Sequence, residues 1–145
     1  MTEAPIVRVS RRFKAPPERV FDAWLDPAMI GRFMFGPHLR DEQIVSLSTE
    51  PHVGGRFSYK VTRQGQLLNH MGTYREIDRP RRLAFTWGVD KEEGDLSVVT
   101  IEIMPTGDGC ELQLTHRIDP AFADYAERTQ QGWTKIVGDL AAALS

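Results

Sequence analysis

Apolar and polar residues alternate from Ile6 to Lys14. Val7, Val9, Arg11 and Phe13 share one side, and Arg8, Ser10, Arg12 and Lys14 the other, the period of a strand with one buried face. Ala15-Pro16-Pro17 breaks that period. Pro17 suits a first helical turn, where the amide it lacks has no partner anyway, and Glu18 suits the positive helix end. Val20, Phe21, Trp24 and Leu25 then recur at helical spacing. Asp26-Pro27 stops this short helix and starts a second, with Asp26 as N-cap, carrying Ile30 and Phe33 and ending at Gly36-Pro37.

Strand patterns follow in series. Gln43 to Ser48 is the weakest. In Arg56 to Arg63, Phe57, Tyr59 and Val61 alternate with Arg56, Ser58 and Lys60, as in a half-buried strand. Gln64-Gly65 predicts a tight hairpin into Leu67 to Ile77. After the Asp78-Arg79-Pro80 turn, Leu83, Phe85, Trp87 and Val89 alternate as one strand. Asp90 to Asp95 reads as a charged loop containing Gly94. Val99, Ile101 and Ile103 alternate next, and Thr106-Gly107-Asp108-Gly109 marks a hairpin into a strand whose one face holds Cys110, Leu112, Leu114 and His116. From Asp119-Pro120 the period turns helical. Tyr125, Thr129, Trp133, Ile136, Val137, Leu140 and Leu144 form one stripe, and a helix from Pro120 to Leu144 would be about 37 Å long.

Strands joined by hairpins make an antiparallel sheet. With one long helix to cover it, the sheet must curl around that helix to bury its apolar face. The expectation is a single α+β domain over residues 1–145, with an apolar cavity where the curved sheet cannot close flat on the helix.

Composition narrows the function classes. The formal net charge of -2, from 18 basic and 20 acidic residues, gives no electrostatic case for nucleic acid. No apolar run approaches the roughly 20 residues of a membrane span. A single cysteine, Cys110, excludes an internal disulfide and fits a reducing compartment. The start of the chain is polar and shows no secretory signal, so the expected location is the cytoplasm. His38 and His52 fall in loops, no histidine pair has metal-site spacing, and one thiol builds no zinc site; neither metal nor cofactor is expected. Arg79, Arg81 and Arg82 around Pro80 read as a solvated turn, and Cys110 as an inert buried thiol. Met34 and Phe35 read as exposed, forming either an interface with a second copy of the chain or a lid on the pocket.

Candidate chemistry sits at inward positions. Phe57, Tyr59, Tyr74, Trp87, Leu112 and Trp133 are expected to wall the cavity. Arg11, His70 and His116 are polar residues on inward faces. For Arg11 a structural ion pair stands against a clamp on an anionic ligand. For each histidine a satisfied core or rim position stands against a general base.

Arg11-Arg12-Phe13-Lys14-Ala15-Pro16-Pro17-Glu18-Arg19-Val20-Phe21-Asp22-Ala23-Trp24, Asp26-Pro27, Gly54-Gly55-Arg56-Phe57, Gly72-Thr73-Tyr74-Arg75-Glu76-Ile77, Pro80 to Trp87, Leu112 to His116 and Gly132-Trp133 follow one another across nearly the whole chain. In that order they resemble the family related to the activator of heat-shock protein 90 ATPase, within the START-like, helix-grip superfamily. Where that family often has a Trp-Trp-Gly-Pro-like element, this chain has Phe33-Met34-Phe35-Gly36-Pro37. The resemblance implies the helix-grip fold: a curved antiparallel sheet around a long C-terminal helix, with two short helices after the first strand. The superfamily hosts lipid carriers, cyclases and co-chaperone domains, and fold alone does not choose among them. The leading expectation is an apolar or amphipathic small molecule held between sheet and helix. One alternative is a cyclase- or hydratase-type enzyme, with His70, Tyr74 or His116 moving protons and Arg11 holding an anionic group. The other is a co-chaperone or regulatory protein-binding domain, where the resemblance alone suggests a chaperone partner.

Overall fold

The computed structural model describes residues 5–35, 42–91 and 96–144. Strand β1 (Ile6–Phe13) leads to the short helices α1 (Pro17–Ala23) and α2 (Pro27–Phe33). Then come β2 (Glu42–Thr49), β3 (Arg56–Arg63), β4 (Gln66–Asp78), β5 (Arg82–Thr86), β6 (Gly88–Val89), β7 (Val98–Thr106) and β8 (Gly109–Arg117). A 3-10 turn, Pro120–Tyr125, precedes α3, Ala126–Leu144. The strands form one antiparallel sheet in the order β1-β8-β7-β5-β4-β3-β2, with β6 paired to β4. This is the α+β helix-grip fold.

Local chemistry explains the joints. Pro17 and Pro27 each open a helix, and the Asp26 side chain accepts from Ala28 N at 3.0 Å as N-cap. Gln64 and Gly65 both have positive φ, 53° and 80°, the turn that matches a two-residue hairpin to strand twist. Register shifts between Ile44 and Ser46 and between Tyr74 and Glu76 bend the sheet. At Gly72 a Cβ would run into the Thr86 carbonyl and the Phe57 ring, so only glycine lets β4 cross so closely there.

The curled sheet closes on α3, whose buried face is Trp133, Ile136, Val137, Leu140 and Leu144. Val20, Phe21, Trp24, Ile30 and Phe33 of the short helices join the same core.

Several expectations are corrected. The strand drawn through Leu83 to Val89 is broken at Trp87: β5 pairs with β7 up to Thr86, and the chain then returns to β4 as β6. Burial does not alternate across that break: Ala84, Thr86 and Gly88 are buried as well as Leu83 and Phe85, Trp87 is half-buried and Val89 is exposed. The last helix does not run from Pro120. Phe122, at φ -113° and ψ 24°, interrupts the helical backbone, which leaves Tyr125 half exposed, off the core stripe. Met34 and Phe35 are buried, with Phe35 packed on Tyr59 and His70. The side chains of the arginines near Pro80 do sit exposed, as a solvated turn would have them, and make surface ion pairs: Arg79 grips Asp22 of α1 through two hydrogen bonds of 2.8 and 2.9 Å, Arg81 meets Asp78, and Arg82 bridges Glu76 and Glu102. The second helix ends at Phe33, and its expected stop at Gly36-Pro37 lies outside the described residues, as do His38 and residues 92–95 of the charged loop.

Candidate functional site

Between sheet and helix the interior is aromatic. Phe57 stacks on Tyr59 at 4.9 Å between ring centroids and lies 5.9 Å from Trp87, with Tyr74 and Phe85 edge-on or tilted around it. His70 stacks on Trp87 at 5.5 Å. Trp87 in turn meets Trp133 at 5.3 Å, and Trp133 meets Trp24. Rings at these separations attract one another beyond simple area burial. Burial holds the Tyr59 phenol well above its ordinary range, reinforced by the nearby Tyr74 hydroxyl, and pushes Tyr74 up to about 12.

One edge of this cluster carries a polar chain. Trp133 Nε1 donates to His116 Nδ1 at 3.1 Å, and His116 Nε2 lies 2.8 Å from Ser97 Oγ. An indole N–H can only donate. Nδ1 is therefore unprotonated, the neutral ring carries its hydrogen on Nε2, and Nε2 donates to Ser97 Oγ. Burial depresses the His116 pKa to about 4, so the ring stays neutral near pH 7. The folding pattern fixes all three residues: β8 alternation turns His116 inward behind Leu112 and Leu114, Ser97 shares parity with Val99 and Ile101 at the start of β7, and Trp133 lies on the buried face of α3.

A pocket of about 350 Å³, open to solvent on one side, adjoins this chain where β8 passes into the 3-10 turn. Trp87, Gly88 and Val89 form the wall at the strand break. Ser97 and His116 form the inner end, and Ile118, Asp119, Phe122, Tyr125 and Thr129 close the helical side. The volume is at the small end of ligand sites, and a mostly apolar lining with a few convergent polar groups is their usual character. Asp119 caps the 3-10 turn by accepting from Ala121 N at 2.9 Å.

Of the nine residues singled out from the sequence, Trp87 and His116 line this pocket, and Trp133 stands directly behind His116. Phe57, Tyr59, His70, Tyr74 and Leu112 are packed into the interior. Arg11 lies elsewhere. It keeps the inward parity of Phe13, but its guanidinium runs past α3, with Nη1 3.8 Å from where a Gly138 Cβ would stand, and it is exposed. The expected ion pair is corrected: Arg11 reaches water over a bare glycine instead, as long cationic side chains do, and pairs with no described carboxylate. Ser97, Ile118, Asp119 and Phe122 were not foreseen. Ser97 had a legible signal, as a polar residue two places before Val99 on the same face. Among the described residues no group of three or more His, Cys, Asp or Glu could hold a metal ion, and no helix is long and apolar enough to cross a membrane.

Solved structures share the fold. A protein from Chromobacterium violaceum superposes with a TM-score of 0.78 at 25% identity, covering 96% of each chain. A protein from Rhodobacter sphaeroides gives 0.81 at 23%, covering 96% of this chain and 91% of its own. A protein from Aeromonas hydrophila, itself described as like the activator of Hsp90 ATPase homolog 1, gives 0.78 at 21%, covering 97% and 96%. None of the curated proteins compared matches the chain. The sequence model of one family matches residues 14–145, from the end of β1 through α3, and the chain belongs to that family, the Activator of Hsp90 ATPase homolog 1-like proteins.

Proposed function

We propose that the protein binds a small, largely apolar molecule in the pocket beside the Ser97–His116–Trp133 chain. The observation that carries this reading is the pocket itself: about 350 Å³ walled by Trp87, Val89, Ile118 and Phe122, with Ser97 and a neutral His116 at its inner end. A ligand burying about 300 Å² of apolar surface there gains roughly 7 kcal/mol before the costs of association, which suffices for useful affinity with few polar contacts. The site differs from the one expected between sheet and helix, because the interior rings there pack on one another.

The enzymatic alternative finds less support in the geometry. A His116 acting as base on Ser97 would need Nε2 free to accept, which the Trp133 hydrogen bond opposes. Arg11 and Tyr74 do not line the pocket that His116 lines.

The test is a panel of uncharged apolar and aromatic compounds, read by thermal shift and by tryptophan fluorescence, on the natural chain and on Thr129→Phe. That substitution places a ring in the pocket from the half-buried α3 position. Saturable binding that Thr129→Phe abolishes while the melting temperature is kept is the expected result. Binding indifferent to Thr129→Phe, or no binding by a folded protein, would overturn the proposal. Contact with a chaperone, as the family's description suggests, would survive the same substitution.

A further inference from the structure

We infer that the pocket selects ligands by charge and polarity: it takes an uncharged ring compound bearing one hydrogen-bond acceptor, such as an amide or ketone, and disfavours carboxylates. This rests on the ligand-binding reading above and deepens it.

The polarity follows from one donor. Because the Trp133 N–H occupies His116 Nδ1, the Nε2 hydrogen is committed to Ser97 Oγ. Ser97 therefore receives a hydrogen bond from the histidine, and its own hydroxyl hydrogen has no acceptor among the described residues. Ser97 is buried except toward the pocket that it lines, so this hydrogen is left for an acceptor atom inside the pocket. A buried donor of this kind favours a ligand that satisfies it over one that leaves it unpaired.

Charge points the same way. Among the described residues no lysine or arginine lines the pocket, while Asp119 does, its carboxylate capping the 3-10 turn. Arg128, whose guanidinium lies 5.7 Å over the Tyr125 ring, lines a separate depression with Lys135. The histidine at the inner end is neutral near pH 7. A carboxylate ligand would lose hydration there, find no lining cation and face Asp119.

Three probes of one shape separate these factors: naphthalene, 2-naphthamide and 2-naphthoate, titrated by calorimetry into the full chain at pH 7 and low salt. The amide should bind about tenfold more tightly than the carboxylate, on Coulomb grounds at partly shielded range. Ser97→Ala should weaken the amide about fivefold relative to naphthalene, the loss of one ordinary hydrogen bond. Asp119→Asn keeps a competent helix cap and should raise carboxylate affinity severalfold with little effect on the amide. Carboxylate binding equal to or tighter than the amide, or an amide indifferent to Ser97→Ala, would overturn the inference. If Ser97→Ala does not fold, Asp119→Asn alone decides: an unchanged ratio of amide to carboxylate rejects the charge selection. If naphthalene binds without any preference among the polar probes, the pocket stands and its selectivity does not. If no probe binds to folded protein, both fail together.

Discussion

Both ring nitrogens of His116 are engaged inside the protein, one accepting from an indole and one donating to a hydroxyl. A proton added to Nδ1 would face the Trp133 N–H donor to donor, and the ring is buried, so the charged form is disfavoured twice. The folded pKa of about 4 lies below the ordinary 6.5. Between these values the unfolded chain binds the extra proton and the folded chain does not. The stability contributed by keeping His116 neutral is thus complete above pH 6.5 and is lost as pH falls toward 4, by about 3 kcal/mol. In urea titrations at pH 7, 5 and 4, His116→Gln should lose visibly less stability than the natural chain, since an amide can accept from Trp133 and donate to Ser97 without titrating. Equal losses in both would show that carboxylates such as Asp22, held below its usual range by Arg79, account for the whole acid response. Parity along β8 made the inward direction of His116 legible in the sequence. Its partners were not, because a hydrogen bond between residues 17 positions apart in sequence depends on how α3 lies over the sheet.

The elements were legible where one short-range rule governs them. The β3–β4 hairpin is an example: Gln64-Gly65 is flanked by alternation on both sides, and the register runs unbroken from Arg63↔Gln66 to Arg56↔Thr73. Gly65→Ala should cost about 1 kcal/mol, because a side chain at φ 80° is strained. A hairpin that tolerates alanine without a shift in the urea midpoint would contradict that turn geometry. Elements shaped by distant neighbours were misread. Leu83 to Val89 carries a perfect strand period, yet Trp87 N donates to Ser97 O while Thr73 N donates to Thr86 Oγ1, and these contacts split the strand in two. The same split opens the wall of the pocket. The 3-10 turn is a second case: Asp119-Pro120 announces a helix start, but nothing local announces the interruption at Phe122 that leaves Tyr125 at the pocket rim.

At the scale of the molecule, strand order joins the beginning of the fold to its end. Ile6 pairs with Arg117 and Phe13 with Cys110, so β1 stays an unpaired ribbon until β8 has been made. Closing loops of about a hundred residues before any contact rewards them is slow. Refolding should take milliseconds to seconds rather than microseconds, as stopped-flow fluorescence of the three tryptophans would show. During synthesis the consequence is sharper. Residues 5–105 contain β1, both short helices and most of the sheet, yet lack β8, which pairs with β1, and the helix whose Trp133, Val137 and Leu140 fill the core. A nascent chain halted near residue 105 should therefore expose its apolar face to proteases and chaperones, and one halted beyond residue 144 with its exit cleared should resist digestion. Protection of the shorter chain would mean that β2 to β7 form a stable unit by themselves. Otherwise the last quarter of the chain acts as the folding signal for all that precedes it.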